Sequence, residues 1–319
     1  MLSYKSSCWK AGYTISRSLS SLCCVKTQRL QGMRSPLSMM VAFSTLWLVS
    51  VTATPVHKNL DKDSKSTTDF IAGLPLTEEM KGNFSGIGKE FIEDFYPWEK
   101  QDPTLHEGDI QFFGDKNAIL NNSYRWPNAK IPYIIENVFT PNERNVIAFS
   151  MNEYHKYTCI QFVPRTSEGN YVRILKGGTG CSSYVGMQNT GAQDLSLDDG
   201  CVSINVPGIV MHELMHAAGF FHEHTRPDRD TYVRIDFDNI IEDKKEANFV
   251  KKDASQVTTL GLQYDYDSVM HYEKNAFAID RNRPTIIPIP NENVKIGNRT
   301  KFSWLDLLKL NTLYCSEIG

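Results

Sequence analysis

The chain has 319 residues, 41% of them hydrophobic, and a formal net charge of −3. That length suits one large domain or two, and the apolar share is ordinary for a soluble globular protein. The slight negative balance gives no basis for binding nucleic acid or an anionic membrane surface, so neither is expected as a partner.

Residues 1–32 contain Lys5, Lys10, Arg17, Lys26 and Arg29, several serines and no acidic residue. They resemble a transit peptide, but the preferred reading is an overlong basic lead-in with Met33 as the true start. Residues 39–51 (MMVAFSTLWLVSV) follow Arg34, carry no charge and run into Val51-Thr52-Ala53, a small-residue cleavage pattern. This stretch has the length of a signal-peptide core and falls short of the ~20 residues that span a bilayer. A signal anchor is the alternative. Residues 1–53 are therefore expected to be a targeting segment, and the protein to be secreted and extracellular without stable membrane insertion. Cys8, Cys23 and Cys24 would be lost with that segment. Cys159, Cys181, Cys201 and Cys315 remain, an even set that implies two disulfides in an oxidising compartment. Three pairings are open. Cys181–Cys201 would close a compact loop-rich stretch and Cys159–Cys315 would tie the last helix to the early domain, so these are the preferred pairs.

Residues 54–116 are polar and weakly patterned, as in KDSKSTTD at 62–69. Asn83, Asn121 and Asn298 each begin a glycosylation sequon, meaningful only on a secretory path. Regular patterning begins near residue 117. KIPYII (130–135) reads as a strand. Thr140-Pro141-Asn142-Glu143 is a capping box with proline at the first helical position, opening a helix to about Tyr157. CIQFVP (159–164), YVRILK (171–176), SSYVG (182–186) and CVSINV (201–206) read as short strands. A helix is expected over about 208–218, another within 238–251, and a last one capped by Ser303-Trp304-Leu305-Asp306 and running to about Tyr314. Strands and helices followed by a loop-rich half make an α+β pattern.

Five of the eight histidines lie between residues 212 and 271, and HELMHAAGFFH (212–222) holds three of them. On a helix, His212 and His216 share one face at about 5–6 Å, so both rings can reach one ion. Gly219 permits a sharp left-handed turn that brings His222 round as a third ligand. Three neutral nitrogens suit one Zn2+ per chain, and three protein ligands leave a fourth position for water. Glu213 projects beside the ligand pair, where it can act as general base on that water and then protonate a leaving amine. Peptide hydrolysis is the reaction these parts fit.

HELMHAAGFFHEHTRPDRD (212–230), together with Ser268-Val269-Met270-His271-Tyr272, resembles the astacin family of zinc metalloendopeptidases within the metzincins. The likeness covers roughly 110–319. It implies a zincin-like catalytic domain over 117–319, with a twisted mixed sheet and active-site helix in the N-terminal half. A loop-rich C-terminal half would end in a helix. It further implies that Tyr272 ligates zinc in the resting enzyme and stabilises the oxyanion, a device suited to a phenol donor. Met270 would pack beneath the site in a Met-turn, and His224 and His271 would have no ligand role. Phe112-Phe113-Gly114-Asp115 resembles the family's propeptide motif, so Asp115 is expected to block the zinc in a zymogen with propeptide 54–116. An activating protease would cut near Lys116-Asn117, and Glu223 would receive the new amino terminus. The Arg226–Asp230 run is read as structural salt bridging.

Another metzincin branch is disfavoured by Tyr272, by Glu223 directly after His222, and by the lack of a pro-segment cysteine. A catalytically dead module is disfavoured by the intact Glu213. The chain's end at residue 319 suggests no accessory modules, and the cysteine-free NAILNNSYRW lacks the extra pair of some egg-envelope-digesting relatives, which puts a hatching role in doubt without excluding it. A protein or peptide is the expected substrate.

Overall fold

The computed structural model describes residues 72–81, 102–111, 121–255 and 257–316, all within one unit spanning 64–319. The targeting segment, the Asn83 sequon and residues 112–120, which hold Asp115 and the expected cut at Lys116-Asn117, lie outside the described residues.

β1 (Lys130–Ile135) begins where the apolar run begins, and four of its six residues are buried. Such a run suits an interior parallel strand covered on both faces. β2 (Gln161–Pro164) and β3 (Tyr171–Leu175) pair with it in parallel, with Ile131 opposite Phe162 and Ile135 opposite Ile174. β4 (Cys181–Ser183) is the antiparallel edge strand beside β5 (Ala192–Leu197), which runs parallel to β3. The sheet order is β2-β1-β3-β5-β4, a mixed sheet as expected.

Two local readings need correction. CVSINV forms no strand. Cys201 is tied to Cys181, and its N–H bonds to Asp198 O at 3.0 Å, so the segment turns tightly into the next helix. The strand is instead AQDLSL, whose polar residues hide it from a propensity reading. Its Gln193 and Ser196 are buried with local partners.

α1 (Pro141–Tyr157) starts with the anticipated box, Thr140 and Glu143 each bonding the other's backbone N–H. α2 (Gly208–Ala217) is buried at every position, the mark of a core helix. It is fixed against α1 by Tyr154 Oη donating to Met211 O at 2.7 Å. Its first residue must be glycine, because an added Cβ would lie 2.3 Å from the Arg299 carbonyl carbon.

The second half is loop-rich. β6 (Val233–Ile235) and β7 (Ile286–Pro288) form a separate antiparallel pair. The helix expected within 238–251 shrinks to α3 (Lys245–Phe249), preceded by short 3-10 turns. α4 (Trp304–Tyr314) carries the second expected capping box, from Ser303 and Asp306. The Asp306 carboxylate also accepts from Ser268 Oγ at 2.5 Å and Val269 N at 3.0 Å, so one buried acid caps α4 and holds the 268–272 turn. Burial pushes its carboxyl up to about 6. Both preferred disulfides are present, Cys159–Cys315 with S–S 2.04 Å and Cys181–Cys201 with 2.12 Å. No helix among the described residues is long and apolar enough to cross a membrane.

Candidate metal centre

α2 presents His212 and His216 on one face, with ring centroids 4.6 Å apart. The chain then turns at Gly219, whose φ of +109° lies in the region glycine favours, and Gly219 N bonds back to His216 O at 2.7 Å. This reversal carries His222 to within 4.8 Å and 5.1 Å of the other two rings. All three histidines are at most 2% exposed.

The outer nitrogen of each ring has an acceptor. His212 Nδ1 donates to Val269 O at 2.6 Å, His216 Nδ1 to Phe220 O at 2.7 Å, and His222 Nδ1 to Glu107 Oε2 at 2.7 Å. Because carbonyls and carboxylates only accept, each Nδ1 carries a hydrogen, so in its neutral form each ring turns the Nε2 lone pair inward.

A carboxylate closes the cluster, and it belongs to Asp109. Its oxygens lie 3.1 Å from His212 Nε2, 3.2 Å from His222 Nε2 and 3.4 Å from His216 Nε2. Ligand atoms of these four residues all fall within 4.8 Å of one another. The place expected for Asp115 is thus held by Asp109, and Asp115 itself lies outside the described residues. The reason is local. Asp109 follows a loop in which Glu107 and Gly108 have φ of +48° and +72°, closed by paired hydrogen bonds between His106 and Ile110. A Cβ on Gly108 would meet Phe277 Cζ at 2.9 Å and its φ is one that L side chains rarely adopt, so glycine suits this close approach to the cluster. Beyond it, Ile110 bridges Ser183 of the β4 edge in parallel, and Gln111 N bonds Ser183 O at 2.9 Å. The signal was present in the sequence as a second Gly-Asp pair, Gly108-Asp109, six positions before Gly114-Asp115.

Three inward lone pairs and a carboxylate fit a cation. Asp109 Oδ1 and His216 Nε2 are buried with no hydrogen-bond partner, as ligand atoms would be. Three nitrogens and one oxygen at this spacing match a four-coordinate zinc site. The electrostatics agree. Burial opposes charge on His222, yet Asp109 and Glu107 push its ring up to about 9, while burial pushes His212 down to about 3. The cluster takes up positive charge, and a proton or a metal ion is an alternative way to supply it.

Glu213 is buried beside this group without belonging to it, and its Oε2 has no hydrogen-bond partner. Burial, reinforced by Asp109, holds its carboxyl well above the usual range. Tyr272 is fully buried, stacks on His224 at 4.0 Å and donates its hydroxyl to Glu107 O. Its ring lies against His222 as well, with centroids 4.5 Å apart. Met270 is buried, and its carbonyl accepts from Glu223 N at 2.9 Å, which ties the turn to the third histidine. His224 Nε2 donates to Asn248 O at 2.9 Å, and His271 accepts from Tyr264 Oη at 2.7 Å, so neither ring faces the centre.

Glu223 already has partners: Lys309 Nζ at 2.6 Å, Arg226 Nη1 at 3.0 Å and Asp265 N at 2.9 Å. A cavity lined by Phe220, Phe221, Glu223, Lys252 and Leu260 lies beside it. Residue 117 lies outside the described residues. The Arg226–Asp228 and Arg229–Asp230 pairs are present at 2.8 and 3.0 Å. Sequence reasoning missed Glu107, Asp109, Lys252, Lys309 and Arg299. Arg299 is buried, and its Nη1 donates to Val269 O and His271 O at 3.0 Å, clamping the turn behind the site.

The sequence profile of the astacin peptidase family matches residues 118–315. The zinc metalloproteinase nas-14 of Caenorhabditis elegans is 39% identical over 271 residues, which is 82% of this chain and 51% of that protein. Meprin A subunit beta of Rattus norvegicus is 40% identical over 246 residues, 77% of this chain and 34% of that one. The chain spans about half the length, or less, of these relatives. The solved structure of high choriolytic enzyme 1, a hatching enzyme zinc-protease from Oryzias latipes, superposes with a TM-score of 0.56 at 39% identity. The superposition covers 65% of this chain and 98% of that one.

Proposed function

The chain belongs to the astacin family, and from that premise we propose that it is a zinc-dependent endopeptidase made as a latent proform. One observation carries the reading. His212, His216 and His222 converge with a carboxylate, Asp109, that comes from upstream of the family-matched region 118–315. A protein built for activity alone has no use for that fourth group.

The three Nε2 atoms would hold a zinc ion, and the chemistry it would supply is Lewis acidity toward a peptide carbonyl and a water molecule. The remaining work falls to the chain's own groups. Glu213 takes the proton of the attacking water on its carboxylate and later passes it to the leaving amine. The Tyr272 hydroxyl, released from Glu107 O, donates to the carbonyl oxygen as negative charge grows there. The β4 edge, now paired with Ile110 and Gln111, is free to bind a substrate backbone once the segment leaves. Asp109 enforces latency in two ways: it fills the position the reaction needs, and it sits beside Glu213 where it opposes ionisation of the base.

The likeness to a secreted type of peptidase and the 39–51 apolar core support export, with 1–53 removed and the 54–116 segment as propeptide. The family match starting at 118 supports an activating cut near Lys116-Asn117. The new amino terminus would reach the cavity beside Glu223. Substrates are proteins or peptides. The test is proteolysis of a peptide library by the activated protein and by Glu213→Ala. A loss of about 10²–10⁴-fold in kcat is expected for removal of a general base. Equal activity of the two would remove the mechanism.

A further inference from the structure

The three rings of the site are not held alike. His212 and His216 are oriented by the carbonyls of Val269 and Phe220, which are part of the catalytic domain. His222 is oriented by Glu107, which belongs to the segment that activation removes. Among the described residues no other group accepts the His222 Nδ1 hydrogen.

Glu107 is also set there at some cost. It is 1% exposed and its φ of +48° is left-handed, a conformation a residue with a Cβ adopts only when its surroundings hold it. Those surroundings are specific. Glu107 N donates to Ala247 O at 2.9 Å, and Tyr272 Oη donates to Glu107 O. The second carboxylate oxygen, Oε1, pairs with Lys252 Nζ. Lys252 also bonds His106 Nε2 at 2.9 Å and lies over the Phe221 ring. The outer partner of a ligating histidine fixes its orientation and raises its basicity, and removing such a partner commonly costs about 10–100-fold in metal affinity.

We propose that Glu107, held by Lys252, is a positioning residue for zinc: it orients His222 from within the pro-segment, so the proform retains the ion more tightly than Asp109 alone would achieve. The role rests on the zinc reading above. Activation then withdraws two carboxylates at once, the one that would touch the ion and the one that steadies the third ligand. The proform is the state suited to acquire zinc, and the activated domain is the state that loses it more readily.

The test is zinc competition against a chromogenic chelator, using the full-length proform. Glu107→Ala should bind zinc about 10–100-fold more weakly than wild type. Glu107→Gln keeps an acceptor for Nδ1 but loses the charge and the Lys252 pair, so it should fall between them, as should Lys252→Met. Hydrogen exchange at the Ser183 and Gln111 amides reports whether the segment stays docked on β4. Weakened zinc with those amides still protected supports the orienting role. Zinc retention equal to wild type in Glu107→Ala overturns it. So does weakening that appears only together with loss of amide protection, because Glu107 is then merely an anchor. A wild-type proform that binds no stoichiometric zinc overturns the metal reading itself, a distinguishable failure.

Discussion

Two stretches upstream of the family-matched region 118–315 pack against it, and they do so by different physics. Residues 72–81 lie mostly exposed along the end of β1 and α1. These bonds use the stretch's own backbone groups: Gly73 N to Ile135 O at 2.7 Å, Leu76 N to the Tyr133 hydroxyl at 3.3 Å, and the Arg144 guanidinium to Leu74 O. Residues 102–111 instead bury Glu107, Asp109 and Ile110 at 1% exposure, two of them charged. Burying two carboxylates in an apolar interior is unfavourable unless cations meet them. Here Lys252 and the histidine cluster do, so the second stretch is stable only where those partners stand. The first stretch holds the chain near the domain, and the second recognises the site.

The largest expected effect comes from breaking the second stretch at its tip. Asp109→Ala should raise the basal peptidase activity of the intact proform by at least about tenfold, because the position needed for water is no longer filled. Asp115→Ala should leave the proform as latent as wild type. A quenched peptide assayed before any activating protease reads both. The reverse result would restore the lock to the later Gly-Asp pair.

A smaller effect probes the region of the first stretch. The His155 ring accepts from Phe162 N at 2.9 Å, and burial, helped by Lys81, pushes it down to about 4 from an ordinary 6.5. Between those values the unfolded chain binds a proton that the folded ring refuses. Stability from this group is therefore complete above about pH 6.5 and is lost as pH falls toward 4. Since the ring is only half-buried and solvent screens it, the loss should be about 1–2 kcal/mol. Thermal or urea unfolding of His155→Gln against wild type checks this: the variant's stability should fall less over that window. Parallel pH profiles would show that the ring stays free to protonate.

Much of the fold could be read from local chemistry. Both capping boxes, at Thr140 and Ser303, marked helix starts correctly because a cap is satisfied by residues three positions away. HELMHAAGFFH was legible for the same reason, since helical spacing and one glycine set all three rings. What escaped depends on distant partners. β5 is a strand because β3 and β4 flank it, and its Gln193 and Asp194 carry little strand signal of their own. The approach of Gly108-Asp109 to the centre depends on a fit against Phe277, far along the chain. Glu107 and Lys252 meet only in the folded protein, and neither belongs to a recognisable local pattern.

The most direct measurement concerns the identity of the fourth group at the centre. X-ray absorption and anomalous diffraction on the zinc-loaded proform would determine it. The prediction is one zinc with the Nε2 atoms of His212, His216 and His222 at about 2.0–2.1 Å and an Asp109 oxygen at about 2.0–2.2 Å. Zinc held by the histidines with Asp115 as its oxygen ligand, or zinc bound away from these histidines, would contradict it.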